Sequence, residues 1–454
     1  MSYLALDLGS SFVKAAMLDT KNSVIYGREK IPSLPILSGK ETRHETDAEL
    51  VWQQVKNIID EYVNRYGVLE GILLSTQMHG FVITDKAGLP VTPFISWQDN
   101  RSLENYNGES WYTRLGKIVS PDDMTNTGLS LKPNLGLCKL FPLLQENTVP
   151  PHSQLCTLGS YIIRRLTGNN VCHITNAAPM GLVDIVHKKW DQALIEKTGC
   201  GKISFPEITA ELGTCGIYSH SSGGIPVFPD LGDHQACFLG SLSRPDVDVN
   251  INIGTAGLIG IATEGYCSRE GETRPLLGNY YLRTARGLFG GRDFDVLFDF
   301  LVDCTNRITG APVKPESVWK MIEALPLDSV QAENSLRVEN KFYTDGAIIG
   351  IDHNNFTLPS LFNALYASAA KTYVQALKSI DLQGNVKHIV YSGGAASKNP
   401  PLMRRIAEES GCSWECSPVQ DEVMLGLYRV ALLCNGECHT IQDTREKANT
   451  VRII

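Results

Sequence analysis

The chain has 454 residues, 43% of them apolar and 20% charged, and its 41 Lys and Arg stand against 49 Asp and Glu for a net charge of −8. This length exceeds the ~100–200 residues of a usual domain, so two domains are expected, and the composition excludes a disordered tail or a collagen-like repeat. The acidic balance, without Lys or Arg runs interleaved with aromatics, argues against a nucleic-acid partner. No apolar stretch approaches the ~20 residues that span a bilayer, and Met1-Ser2-Tyr3-Leu4 has no basic segment or cleavage site, so no membrane partner and a cytoplasmic location are expected. The 12 cysteines are mostly isolated, as core thiols in a reducing compartment are. Cys412, Cys416, Cys434 and Cys438 stand apart as C-x3-C pairs that loosely suggest a zinc site.

In chain order, Tyr3-Leu4-Ala5-Leu6-Asp7-Leu8 and Phe12-Val13-Lys14-Ala15-Ala16-Met17-Leu18-Asp19 flank Gly9-Ser10-Ser11 and predict a strand, a tight turn and a strand. Thr46-Asp47-Ala48-Glu49 has the form of a capping box, and Leu50, Val51, Val55, Ile58, Ile59, Tyr62, Val63 and Tyr66 recur at helical spacing up to Gly67. Gly71-Ile72-Leu73-Leu74 predicts a buried strand that runs into Ser75-Thr76-Gln77-Met78-His79-Gly80, the place where open α/β sheets put ligand contacts. A second polar cluster follows at Ser96-Trp97-Gln98-Asp99-Asn100-Arg101, and a domain boundary is expected in Ser241 to Val247, around Arg244-Pro245-Asp246. Val249-Asn250-Ile251-Asn252-Ile253-Gly254-Thr255-Ala256-Gly257 then repeats the opening pattern, with Gly9-Ser10 falling on Gly254-Thr255. Thr357-Leu358-Pro359 opens a helix through Leu361, Leu365, Tyr373, Leu377 and Ile380; Lys387 to Tyr391 forms a strand ending at Ser392-Gly393-Gly394, and Asn399-Pro400 starts another helix.

The repeated glycine-hydroxyl turn predicts two similarly built domains facing one another across a cleft, each using backbone N–H groups and hydroxyls to hold phosphate. Asp7 beside such a turn would repel an anion unless a cation lay between them, which implies Mg²⁺ held through water, and Lys14 supplies a nearby positive charge. No G-x-x-x-x-G-K-[ST] segment occurs, so a P-loop is excluded. The strand, the Gly393-Gly394 turn and the helix start after it make a plausible nucleotide site, and helix packing alone would also account for the turn.

With these pieces in order, the chain resembles the FGGY carbohydrate kinases over nearly its whole length. Asp7-Leu8-Gly9-Ser10-Ser11-Phe12-Val13-Lys14 is similar to the family's first phosphate motif, with Ser10 where Thr is usual, and Asn252 to Gly257 to the second. Gln77-Met78-His79-Gly80 and Trp97-Gln98-Asp99-Asn100-Arg101 resemble its sugar-binding segments, and Gly232-Asp233-His234-Gln235 the segment with the catalytic aspartate. Ser392 to Pro400 resembles the adenosine motif, and Asp421 to Gly426 the helix after it. Within the family, Gln77-Met78-His79-Gly80 resembles the ketose kinases of the xylulokinase and sedoheptulokinase branch, Trp97-Gln98-Asp99 with Gly232-Asp233-x-Gln235 looks closer to sedoheptulokinases, and Asn176-Ala177-Ala178 also resembles that branch. The region around Phe342-Tyr343-Thr344-Asp345-Gly346 departs from relatives by lacking a G-E-R-x-P stretch.

The resemblance implies an α/β fold of two actin-like, ribonuclease-H-like domains with a central cleft: a sugar-binding domain over 1–243 and a nucleotide-binding domain over 244–454. It implies ATP-dependent phosphorylation of a ketose, sedoheptulose first, with Asp233 as general base. Mg²⁺ would sit on Asp7 and Asp233 through water. Phosphates would lie on Gly9, Ser10, Ser11, Lys14, Gly254 and Thr255, adenosine on Gly393, Gly394 and Asn399, and sugar on Gln77, Met78, His79, Trp97, Asp99, Asp233 and Gln235. ATP and a sugar are the expected partners, and a homodimer stays open. The alternatives are a kinase for xylulose, ribulose or glycerol and, from a different class, an actin-like ATPase switch, which has no use for a polyol-shaped polar pocket.

Overall fold

The computed structural model describes residues 2–454 except 38, 242–243, 268–270, 328–334, 340, 343 and 418–420. The expected boundary residue Ser243, and Tyr343 in the segment without the G-E-R-x-P stretch, therefore lie outside the described residues. The chain divides into two compact units, one of residues 1–244, 262–282 and 421–454, the other of 245–261 and 283–420. The first crossing falls beside the expected boundary. Residues 262–282 and 421–454, expected in the C-terminal domain, group instead with the first unit, a return that depends on long-range packing and has no local sequence signal.

In the first unit the main sheet is built from β1 (Ser2–Leu8), β2 (Phe12–Asp19), β3 (Val24–Pro32), β4 (Gly71–Thr76), β5 (Gly216–His220) and β6 (Gly223–Gly232), with the short C-terminal Arg452–Ile453 beside β3. Its order is β5-β6-β4-β1-β2-β3; β1 pairs antiparallel with β2 and parallel with β4, which is in turn parallel to β6. Strands covered on both faces read as near-continuous apolar runs, and β4 is buried at all of its positions. Helix α1 (Ala48–Tyr66) packs Trp52, Val55, Ile59 and Tyr62 against Leu4, Leu6 and Leu74. Its cap is Asp47, one residue later than the capping-box reading, because the Asp47 carboxylate accepts the Glu49 and Leu50 amides. Helix α2 (Leu158–Thr167) adds Tyr161 and Ile162 to the same core.

Helices α3 (Asp233–Ser241) and α7 (Glu422–Cys434) also belong to this unit. They cross backbone to backbone: a Cβ on Gly240 would lie 1.8 Å from the Glu422 carbonyl oxygen, and one on Gly426 1.9 Å from that of Ala236. This crossing draws residues 421–454 back to the first unit and fixes the helix that begins with Asp233.

The second unit has the same strand plan. Strands β7 (Asp248–Ile253) and β8 (Gly257–Glu264) form an antiparallel hairpin, and β7 is parallel to β9 (His388–Ser392), which is parallel to β10 (Ser413–Cys416). Helices α4 (Gly291–Thr309), α5 (Leu358–Ile380) and α6 (Pro400–Ser410) follow the predicted order, and Thr357 caps α5 by accepting the Ser360 amide. Leu365, Tyr373 and Ile380 of α5 share a core with Ile251, Ile253 and Ile389. Among the described residues no helix is long and apolar enough to cross a membrane.

Candidate active site

The register of the first sheet places three chain segments side by side. Leu8 stands opposite Thr76, and Thr76 opposite Gly232, at the carboxyl ends of three adjacent parallel strands. The next residues, Gly9, Gln77 and Asp233, therefore leave the sheet together, at the edge where α/β folds bind ligands. The Gln77 amide donates to the Leu8 carbonyl (3.0 Å), and the Gly9 amide closes the turn on the Phe12 carbonyl (3.1 Å). Ser10 and Ser11 are exposed at that turn. Asp233 is partly buried and begins α3, its Oδ1 accepting the His234 amide at 2.8 Å.

Behind these ends lies an acidic cluster with one cation. Asp7 is 5% exposed, accepts the Ser75 hydroxyl (3.1 Å) and faces Lys14 Nζ at 3.6 Å. Lys14 also reaches Asp421, at 3.1 Å. Burial pushes the Asp7 carboxyl up to about 6; Lys14 and Ser75 pull it down, while Asp233 and Asp421 add to the rise. Lys14 responds oppositely: burial opposes its charge, but Asp7 and Asp421 outweigh burial and raise it. Two carboxylates, Asp7 and Asp421, share the Lys14 ammonium, and the Asp233 charge also acts on Asp7, so negative charge is in excess around Asp7. Among the described residues no three His, Cys, Asp or Glu side chains converge to chelate an ion directly.

The segment after β4 is buried, with Gln77 at 9%, Met78 at 6% and His79 at 8% exposure, and His79 takes a left-handed φ of 66°. Gly232 touches both Met78 and Gln235: a Cβ there would lie 2.3 Å from Met78 Sδ and 2.6 Å from Gln235 Oε1. Gln235 is fully buried and donates Nε2 to the Pro275 carbonyl (3.2 Å). Among the described residues neither Gln77 Oε1 nor Gln235 Oε1 meets a hydrogen-bond donor. Buried polar atoms left open in this way cost stability unless a ligand completes them.

The second polar cluster divides into an open and a closed part. Trp97 is 41% exposed. Asp99, expected on the sugar, is fully buried, and its oxygens are taken by the Arg101 amide and guanidinium and by the His44 amide. Asp99 thus corrects that expectation: its carboxylate holds the turn that carries Trp97. Lys139, also fully buried, donates to the Ser96 carbonyl (2.9 Å) beneath the same turn, and burial pulls its ammonium down to about 7.

In the second unit, Asn252 stands opposite Ser392 as Asp7 stands opposite Ser75, so Gly393 lies level with Ile253, and Gly254 and Gly394 follow as Gly9 and Gln77 do in the first. The Gly254 and Thr255 carbonyls accept the Gly291 and Arg292 amides at the start of α4, which fixes the turn. Gly393 has φ 89°, and a Cβ there would lie 2.6 Å from the Ile253 carbonyl oxygen, so only glycine fits. Nothing lies within 4 Å of a Cβ built on Gly394, which borders open space. Asn399 is 2% exposed and accepts the Tyr366 hydroxyl (3.1 Å) without capping α6 through its side chain.

The late cysteines do not form a metal cluster among the described residues. Cys412 and Cys416 belong to the second unit, Cys434 and Cys438 to the first, and the Cys412 and Cys434 thiols point at backbone carbonyls. Sequence reasoning placed Asp421 at the start of a family-like helix but did not count it among the site residues, and its pairing with Lys14 carries no local signal.

Residues 2–240 match the FGGY family of carbohydrate kinases, N-terminal domain. A glycerol kinase of Streptococcus uberis is 23% identical over 98% of this chain and 92% of its own length, and an apulose kinase of Pectobacterium atrosepticum 25% identical over 56% and 53%. The ligand-bound xylulose kinase of Lactobacillus acidophilus superposes with a TM-score of 0.82 at 18% identity, covering 99% of this chain and 92% of that one.

Proposed function

We propose, from the premise that this chain belongs to the FGGY family of carbohydrate kinases and is an ATP-dependent sugar kinase, that it phosphorylates a ketose, sedoheptulose first. The observation that carries the reading is the register at the strand ends, which sets a phosphate-type turn, an open amide acceptor and a carboxylate next to one another as Gly9, Gln77 and Asp233. Phosphoryl transfer asks a protein chiefly to position the nucleophile and neutralise charge. Asp233 would take the proton of the attacking sugar hydroxyl as its oxygen bonds to the γ-phosphorus and ADP departs with the bridging oxygen. The amides and hydroxyls of Ser10 and Ser11 in the first unit, where Gly9 lets the backbone come close, and those at Gly254 and Thr255 in the second, would each donate to phosphate oxygens, with Lys14 adding positive charge. A bound Mg²⁺ would supply further charge neutralisation at the phosphates, held through water by Asp7 and Asp233. Gly394, open to solvent beside Gly393, would admit adenosine with Asn399 behind it.

Gln77 Oε1 and Gln235 Oε1 would accept sugar hydroxyls, His79 would complete the polar set, and Met78 and Trp97 would face the C–H side. Both open atoms are acceptors, which favours a neutral polyol over a sugar acid. The xylulose and apulose kinases among the relatives keep pentuloses in the comparison. The test is sugar-dependent ADP release with Mg²⁺ and ATP against sedoheptulose, D-xylulose, D-ribulose, L-ribulose and glycerol. One ketose raising turnover well above the basal rate is the expected result. A basal ATPase that no sugar raises would overturn the reading and favour the nucleotide switch.

A further inference from the structure

Asp230 lies on β6, three positions before Asp233, and is fully buried, with no cationic side chain bonded to it among the described residues. Its Oδ1 accepts the His173 amide (2.9 Å), and its Oδ2 accepts Asn176 Nδ2 (2.8 Å) and the Thr157 hydroxyl (3.4 Å). Thr157 caps α2, and a Cβ on Gly159 in that first turn would sit 2.1 Å from Asp230 Oδ2, so the carboxylate is packed against a helix N-terminus. Burial pushes its pKa up to about 7. A buried carboxyl outside the reaction costs stability, so its retention asks for a role.

The same short segment holds both strand ends of the candidate site. Asn176 Nδ2 also donates to the Thr76 hydroxyl (3.0 Å), immediately before Gln77. Thr175 Oγ1 accepts the Gly232 amide (3.1 Å), immediately before Asp233, and shares a hydrogen bond with His173 Nδ1 (2.8 Å). All of these groups are buried, where a satisfied polar network fixes one arrangement. We propose that Asp230 and Asn176 form a buried clamp that sets the spacing between the sugar-binding end at Gln77 and the base at Asp233, and that both are positioning residues for the reaction. This rests on the kinase reading above for its effect on turnover.

The chemistry offers a reciprocal test. In Asp230→Asn one oxygen remains, so His173 N–H or Asn176 Nδ2 loses its acceptor and meets another donor. Asn176→Asp sets two carboxyls against each other. The double variant Asp230→Asn/Asn176→Asp restores the pair with its direction reversed: the new amide accepts from His173 and donates to the new carboxylate, and the Thr76 hydroxyl, which accepts from Asn176 in the wild type, turns to donate to that carboxylate.

Steady-state kinetics would use whichever of sedoheptulose, D-xylulose, D-ribulose or glycerol the wild type turns over fastest. Each single variant is expected to lower kcat by about a hundredfold, with the KM for ATP unchanged, and the double variant to recover most of the loss. Hydrogen exchange, which needs no turnover, is expected to show faster exchange at residues 77–80 and 233–236 in each single variant and restored protection in the double. Folded single variants with wild-type kcat, or a double variant no better than the worse single, would overturn the clamp. So would exchange changes confined to residues 173–177. A wild type inactive on every sugar but showing the expected exchange pattern would sink the kinase reading and leave the clamp standing.

Discussion

The hairpin at residues 2–19 and the hairpin at residues 248–264 are built alike, yet carry different charge. Each has a central strand that is antiparallel to its successor and parallel to a later strand, and each turns at a glycine followed by a hydroxyl residue. At the equivalent position both use a serine on the parallel neighbour: Asp7 accepts from Ser75 at 3.1 Å, and Asn252 donates to Ser392 at 3.0 Å. The difference is one carboxylate for one amide, and with it Lys14 where the second copy has Ile259. The proposed phosphate contacts use the shared backbone of both turns, whereas the proposed cation contacts use the charged residues of the first. Among the described residues a repeated fold thus gives two glycine-hydroxyl turns, with the charge pair of Asp7 and Lys14 beside the first and an uncharged pair, Asn252 and Ile259, in its place beside the second.

Making the first copy resemble the second is the strongest way to break this distinction. Asp7→Asn keeps the hydrogen bond to Ser75 within reach but removes the carboxylate, and kcat with Mg²⁺ and ATP is expected to fall about 10²- to 10³-fold. Turnover within a few-fold of wild type, in a folded variant, would contradict the role of Asp7.

The same substitution reports on stability with the opposite sign. The folded-state carboxyl titrates at about 6 against an ordinary value of 3.8, so the folded protein holds more protons between those values. The contribution of Asp7 is therefore fully present below the lower value and is lost as pH rises through about 6. Unfolding free energy of wild type relative to Asp7→Asn should drop by on the order of 3 kcal/mol between pH ~4 and pH ~7 in the absence of nucleotide and metal. Asp230, also raised, acts alike in both proteins and cancels in the difference. A flat difference across that range would remove the strained carboxylate from the account.

The reverse exchange is expected to do less. Asn252→Asp would let Ser392 donate as Ser75 does, but would place a negative charge beside the second turn, raising the KM for ATP about tenfold. An unchanged KM would place the second turn away from the phosphates. Smallest is Gly254→Ala, where the nearest atom to a new Cβ is 3.5 Å away. Stability should stay within about 0.5 kcal/mol, while the KM for ATP rises several-fold as the methyl occupies space a phosphate would use. Denaturant melts and nucleotide titrations separate the two effects.

The legible parts of the molecule were local. Alternation around Gly9 and Gly254, the periodicity ending at Gly67 and the Gly393-Gly394 turn each leave a mark within a few residues, and the structure has elements at all of them. Strand-end positions such as Gln77 and Asp233 could be read because a buried apolar run meets a polar cluster there. What sequence did not show depends on distant partners. Lys14 pairs with Asp421 across 407 positions, and Asn176 bridges Thr76 and Asp230 across 100 and 54. Asp99 resembled a ligand residue although one of its partners, Arg101, is only two positions on; the other, the His44 amide, comes from 55 positions away and completes the set. The return of residues 421–454 to the first unit depends on Gly240 and Gly426 meeting facing backbones, which neither glycine announces alone.

The most direct test of the central claim follows the phosphoryl group itself. Wild type and Asp233→Asn would be incubated with sedoheptulose, Mg²⁺ and ATP labelled in the γ-position, with sugar binding measured in parallel by calorimetry. The account predicts labelled sugar phosphate from the wild type, at least about a hundredfold less from Asp233→Asn, and retained sugar binding in both. Equal labelled product from the two proteins, or ADP release by the wild type with no label on the sugar, would contradict it.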